Sequence, residues 1–169
     1  MTRKDYVLAF VFCYMEEGEP YVLLLKKIKP EWQRGMLNGI GGKIEHGEQP
    51  LEAMSREWTE ETALPVPDWK PVCLLAGDEW RVFIYTGVTE DHWAFDERNG
   101  ADTPEGILET QSVEEMREFK HRMIPNIMWL VPKALSVNEA EGANGNLVDN
   151  EYILCLPAEQ GRTYPDNLI

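Results

Sequence analysis

Glu57, Glu60 and Glu61 fall at i, i+3 and i+4 inside the stretch Gly42 to Leu64, GKIEHGEQPLEAMSREWTEETAL. On a helix that spacing projects three carboxylates from one side. Like charges one turn apart repel by roughly 0.2–0.5 kcal/mol, so the arrangement calls for a counter-charge. A hard divalent cation such as Mg2+ fits, because it takes oxygen ligands and works through carboxylates together with substrate phosphates. The competing reading is a solvated acidic face.

The elements that would hold those acids can be read nearby. Gly47 ends a loop, and Pro50 suits a first helical turn, where its missing N–H costs nothing. Glu48 and Glu52 lie near the amino end, which favours negative charge. Leu51, Met54 and Trp58 repeat at i, i+3 and i+7 as an expected core stripe. Pro65 stops the helix and pushes Leu64 out of helical space.

The full stretch resembles the Nudix box, whose pattern is G, five residues, E, seven residues, then R-E-U-x-E-E-x-G-U with U bulky and apolar. This chain has Gly42, five residues, Glu48, seven residues, then Arg56-Glu57-Trp58-Thr59-Glu60-Glu61-Thr62-Ala63-Leu64. Every charged position matches. Ala63 replaces the second glycine, a change expected to alter local geometry more than chemistry, and Trp58 is a large occupant of the apolar slot. The resemblance implies an α/β class chain with the Nudix α/β/α sandwich and a mixed β-sheet.

By the same resemblance, Glu57, Glu60 and Glu61 would ligate Mg2+ or Mn2+ with the carbonyl of Gly42. Arg56 would orient Glu57, and Glu48 would support the cluster from its loop. One of the box acids or a loop glutamate would take a proton from water. The run Leu37 to Lys43, LNGIGGK, is similar to that of the family branch acting on 8-oxo-dGTP and other purine nucleoside triphosphates. There Asn38 would touch the base, against its reading as a turn residue beside glycine, and Lys43 is a further substrate-binding candidate. The Glu115-Met116-Arg117 triplet resembles the segment carrying an extra acid, which selects Glu115 with Glu114 and Glu109 as rivals. The spacing from Pro125 to Pro132 places Asn126 and Ile127 where that branch has base-reading acids. Asn126 could still read a base, whereas the Ile127 side chain has no polar atom.

The rest of the chain sets bounds. Its 169 residues fit one domain, 1–169, and 43% hydrophobic content with six tryptophans fits a packed core. A formal charge of −14 disfavours nucleic acid and anionic membrane as partners. A phosphate-rich small-molecule nucleotide would then need ions and local lysines to bind. A homodimer is compatible with the sequence. Cys13, Cys73 and Cys155 are odd in number and lie in apolar runs, which indicates buried reduced thiols. With no long apolar span, and with Met1 to Asp5 running straight into a strand pattern, the expected location is the cytoplasm.

Along the chain, Tyr6–Tyr14 and Tyr21–Ile28 read as a buried hairpin, with Lys26, Lys27 and Lys29 making its exit basic. These lysines are either an exposed edge or phosphate-facing. Val66–Gly77 and Glu79–Val88 read as a second strand pair, and Thr89–Glu105 as a long loop or lid anchored by Trp93 and Phe95. Gly106–Phe119 should return to the sheet. Met123–Ser136 reads as a helix opened by Pro125 and kinked or split at Pro132. Residues 138–150 read as a flexible connection, and Glu151–Leu156 as a last strand beside the active cleft. The implied reaction is metal-dependent hydrolysis of a pyrophosphate link, in a triphosphate of a purine, oxidised or not. An ADP-ribose or dinucleotide pyrophosphatase and a non-cleaving nucleotide sensor are the competing readings.

Overall fold

β1 (Lys4–Tyr14) is buried on both faces and carries the rest of the fold. The computed structural model describes residues 3–14 and 18–140, with the backbone of 153–155. Tyr6, Leu8, Phe10 and Phe12 enter one hydrophobic cluster, and Val7, Ala9, Val11 and Cys13 enter another. That is the two-residue strand alternation imposed on a run apolar at nearly every position, which suits a sheet covered on both sides. The first cluster is closed by Ile127, Leu130, Val131 and Ala134 of α3 (Ile127–Glu139). The second is closed by Ala53, Met54 and Trp58 of α1 (Pro50–Thr62) and by Phe95 of α2 (His92–Arg98). The result is the expected α/β/α sandwich.

The sheet runs β3 (Leu37–Asn38), β2 (Pro20–Lys27), β1, β6 (Trp80–Val88), β5 (Lys70–Ala76), β8 (Ile153–Cys155). β4 (Ile40–Lys43) adds to β1, and β7 (Gly106–Ser112) adds to β2. The β1–β6 and β5–β8 pairs are parallel and the other pairs antiparallel, so the sheet is mixed. The expected hairpin pairs only at its closed end, Val11 to Tyr14 against Leu23 to Pro20. Beyond that it forks. Tyr6–Ala9 of β1 turns to β4, while Leu25 and Lys26 of β2 turn to β3. The short glycine-bearing segment from Leu37 to Lys43 thus bridges the two arms. Gly41 is needed there, because a Cβ would overlap the carbonyl of Val7.

Several expectations change. The supposed lid contains α2, capped by Asp91, whose Oδ1 accepts from Ala94 N at 2.9 Å. Phe95 is buried and anchors it, but Trp93 is 72% exposed. α3 runs unsplit through Pro132 to Glu139, and Asn138 belongs to it rather than to a connection. The Asn138 Nδ2 donates to Thr86 Oγ1 at 2.7 Å and so ties α3 to β6. β8 lies beyond β5, at the opposite end of the sheet from β2 and β3, not beside the fork. The residues from 141 to 152 and the tail 156–169 lie outside the described residues. Cys13 is buried and Cys73 half-buried, both as free thiols, and burial raises the Cys73 thiol to about 11. Among the described residues no helix is long and apolar enough to cross a membrane.

Candidate active site

α1 is fixed at both ends before any chemistry begins. The Gln49 backbone N–H donates to Glu52 Oε2 at 3.0 Å, and the Gln49 side chain accepts in return from the Glu52 backbone, forming a capping box. At the other end the Thr62 hydroxyl donates to Trp58 O at 2.7 Å and accepts from Leu64 N at 3.1 Å. Ala63 takes φ 54 and ψ 19, the left-handed conformation a glycine would adopt freely. The backbone turn is therefore kept, and alanine bears a steric cost rather than reshaping the loop.

The buried face is Ala53, Met54, Trp58, Glu61 and Thr62. Leu51, expected in that stripe, lies in the first turn of the helix and is 48% exposed. Burying Met54 and Trp58 each contributes about 1.5–3 kcal/mol or more toward docking the helix. Trp58 Nε1 donates to Pro65 O at 3.0 Å, so the large apolar-slot residue leaves no orphan donor. Trp69 meets it edge-on, with ring centroids 5.8 Å apart, and donates to Ser55 Oγ at 3.1 Å.

On this frame Arg56 gathers the acids. Its Nε and Nη2 grip both oxygens of Glu48 at 2.9 and 3.0 Å. Nη1 reaches Glu57 Oε1 at 2.8 Å and Glu60 Oε2 at 3.3 Å, and Nη2 also donates to Lys43 O at 3.1 Å. Such fork contacts are charge-assisted and directional. Bonding to Glu48 above all holds the guanidinium charged, and the same bond holds the Glu48 carboxyl below its ordinary value. With both oxygens engaged, Glu48 positions Arg56.

Glu57 is pressed against β4. A Cβ on Gly42 would overlap its carboxyl, 2.6 Å from Oε2, so glycine is what lets the acid lie on the strand backbone. Burial pushes the Glu57 carboxyl up, and Arg56 offsets only part of that. Glu61 is 4% exposed, and its Oε2 is buried without a partner. Burial raises its pKa as well, against the Thr103 hydroxyl and with Glu105 adding to the rise. Glu60 is exposed.

Glu57, Gly42 and Lys43 line a cleft of about 390 Å3 at the fork in the sheet, with Lys4, Tyr6, Lys27, Lys29, Pro30, Gly41 and Glu105. Glu105 precedes β7, held there by Ile28 N donating to its carbonyl at 3.1 Å. Lys27 Nζ, almost fully buried, lies 3.2 Å from its Oε2, and Lys29 Nζ lies 2.8 Å from its Oε1. Burial works to raise Glu105, but the two lysines outweigh it and hold the carboxyl below its ordinary value.

The remaining sequence candidates separate. Glu115 is exposed in a 3-10 turn and lines no part of this cleft; Glu114 is exposed too. Glu109 is paired with Arg122 at 2.6 Å and Lys26 at 3.6 Å. Asn38 is 2% exposed, with Oδ1 accepting from Gly39 N at 2.8 Å. Ile124 N donates to Leu37 O at 3.1 Å, which brings the Ile124–Asn126 segment alongside Asn38. Ile127 is fully buried. Sequence reasoning passed over Glu105, Lys4 and Tyr6. A glutamate directly before an apolar strand run was the available signal for the first.

A divalent ion can be tested against these residues. Among the described residues no three Asp, Glu, His or Cys side chains converge into a ready cage, since Arg56 draws Glu57 and Glu60 to itself. The donor set nevertheless fits. Glu61 Oε2 is a buried carboxylate oxygen with no hydrogen bond, which suits a cation, and Mg2+ commonly takes only one or two carboxylates besides water and phosphate oxygens.

Known proteins agree with this geometry. The NUDIX domain family profile matches residues 5–141. The mutator MutT protein of Bacillus halodurans is 26% identical, over 68% of this chain and 72% of its own, with a TM-score of 0.51. The NUDIX domain of Shewanella oneidensis NrtR, solved with ADP ribose, shares the fold at 14% identity, over 82% of this chain and 90% of its own, with a TM-score of 0.63. A NUDIX family hydrolase of Clostridium perfringens is 21% identical, over 83% of this chain and 100% of its own, with a TM-score of 0.55. Fold, box geometry and family match converge: the chain belongs to the NUDIX domain family and is a Nudix pyrophosphohydrolase.

Proposed function

We propose that this protein hydrolyses a purine nucleoside triphosphate, oxidised or not, to the monophosphate and pyrophosphate. The observation that carries the reading is Glu61. A carboxylate oxygen buried without a partner, one helical turn from a second acid pressed onto Gly42, is costly unless a cation meets it. Glu57, Glu60, Glu61 and the Gly42 carbonyl are the residues that would hold Mg2+ or Mn2+. When bound, such an ion neutralises phosphate oxygens and lowers the pKa of water.

The chain's own groups supply the rest. Arg56 sets the direction of the Glu57 carboxylate, and Glu48 sets that of Arg56. Glu105, rather than Glu115, is our assignment for the acid outside the box, because it lines the cleft with Glu57, where it holds Lys27 and Lys29. Lys43 lines the cleft for phosphate. Asn38, beside the Ile124–Asn126 segment, is our assignment for the base: its Oδ1 already accepts from Gly39 N, which leaves the amide Nδ2 as the group to donate to a purine acceptor. With Ile127 buried, discrimination of the oxidised base falls to Asn38 and Asn126. The formal charge of −14 supports a small nucleotide rather than a nucleic acid as partner, and free thiols support a cytoplasmic location.

The test is purified protein with Mg2+ or Mn2+ against triphosphates, oxidised purine triphosphates, ADP-ribose and dinucleotide polyphosphates, scoring pyrophosphate or monophosphate. Purine triphosphates should turn over fastest and chelator should stop the reaction. Glu105→Gln should lose about 10–100-fold by releasing Lys27 and Lys29 beside the reaction centre, and Glu115→Gln less than about twofold. Preference for ADP-ribose, or turnover in chelator, would refute the proposal.

A further inference from the structure

Glu61 meets a turn that belongs to the β2 arm of the fork, not to its own helix. The segment Thr103-Pro104-Glu105-Gly106 has proline second and glycine fourth, the residues a type I turn favours. Thr103 N donates to Gly106 O at 2.7 Å and Gly106 N to Thr103 O at 3.4 Å, which closes the turn from both sides. The turn is also clamped to β2. A Cβ on Gly106 would overlap the Lys26 carbonyl, and Ile28 N donates to Glu105 O at 3.1 Å. Lys27 and Lys29 hold the Glu105 carboxylate at 3.2 and 2.8 Å. Inside this fixed turn the Thr103 hydroxyl oxygen accepts from Glu105 N and from Gly106 N, each at 3.1 Å. A hydroxyl has two acceptor sites and one proton. With both sites taken by the backbone, the proton is left for a partner outside the turn. That partner is the buried Glu61 carboxyl, to which the hydroxyl donates, while Glu61 Oε2 has no hydrogen bond among the described residues.

We infer that Thr103 is a positioning residue for Glu61: the turn before β7 aims one hydroxyl proton at the carboxylate and so orients it toward the bound ion. This rests on Glu61 being a ligand of that ion, as proposed above. Thr103 itself touches neither ion nor nucleotide, so it acts on ion affinity and leaves substrate binding alone.

Two measurements on the full chain test it. The first is Mn2+ binding without nucleotide, read by calorimetry. Thr103→Val keeps the shape and should weaken binding about tenfold, whereas Thr103→Ser keeps the hydroxyl and should stay within about twofold of wild type. In turnover, Thr103→Val should need about tenfold more Mn2+ for half-maximal rate, with the purine triphosphate KM unchanged once Mn2+ saturates. The second needs no ion. In chelator, the Tm loss from Thr103→Val should be smaller in a Glu61→Leu background, which has no acceptor, than in wild type, because the two changes remove one shared contact. Circular dichroism checks that each variant is folded. Unchanged Mn2+ affinity in Thr103→Val, Thr103→Ser as weak as Thr103→Val, or additive Tm losses each overturn the inference. If wild type binds no Mn2+, Glu61 is not a ligand and both proposals fall. If binding and Tm behave as expected but no purine triphosphate is cleaved, the substrate reading fails and the role of Thr103 stands.

Discussion

Glu61→Gln should make the metal-free protein more stable and the metal-loaded protein inactive. Glu61 is 4% exposed with Oε2 unpartnered, so in the absence of an ion the fold carries a buried oxygen that the Thr103 hydroxyl and the charge of Lys27 offset only in part. Such an atom costs about 1–3 kcal/mol. An amide keeps the shape and removes the charge, though it brings a donor of its own, so a net gain of about 1 kcal/mol is expected. For a chain of this size that is about 2–4 °C in Tm. An ion at about 100 times its Kd adds about 2.7 kcal/mol to wild type, and little to the variant. The order of stability should therefore reverse between chelator and Mn2+, read by scanning calorimetry. The effect also has a pH signature. Glu61 holds its proton more tightly folded than unfolded, so metal-free wild type loses stability as pH rises from the ordinary value of 4.5 through the raised folded value. The variant's advantage is full above that window and vanishes as pH falls below 4.5. A variant less stable than wild type in chelator, or an equal response of both to Mn2+, would refute the reasoning.

Three other substitutions probe the frame. Ala63→Gly should stabilise the protein by about 0.5–1 kcal/mol in denaturant titration, by relieving a left-handed alanine at the end of α1 while adding unfolded-chain entropy. Gly42→Ala should displace the Glu57 carboxyl, destabilise by about 1–3 kcal/mol and abolish turnover, with a crystal structure showing the acid moved. Arg56→Lys keeps the charge but loses the fork that holds Glu48 and Glu57 together. Ion affinity and kcat should fall about 10–100-fold while the substrate KM changes little.

How much of this could be read from the chain depends on the range of the contacts. The acids of α1 and their arginine were legible because the helix places them by spacing alone. The capping box was not foreseen, since glutamine is an uncommon residue in the Gln49 position. Leu51 was misplaced because periodicity gives the face of a helix but not how far along it the cover extends, and Leu51 is in the first turn. α2 escaped because, of its residues, only Phe95 is buried, which leaves no periodic stripe in a polar stretch. The fork between β1 and β2 depends on β3 and β4 joining different arms, a nonlocal choice that a hairpin pattern does not reveal. Glu105 reaches the cleft through that same fork. It meets Lys27 and Lys29 only because β7 pairs with β2, whereas Glu115 was chosen from a local triplet.

The central claim is that Glu61 and Glu57 together hold a divalent cation against the floor of the cleft. Anomalous scattering from crystals soaked in Mn2+ tests it directly. The account predicts a peak within coordination distance of Glu61 Oε2, with Glu57 or the Gly42 carbonyl sharing the ion. No peak beside those oxygens, with turnover that survives chelator, would contradict it.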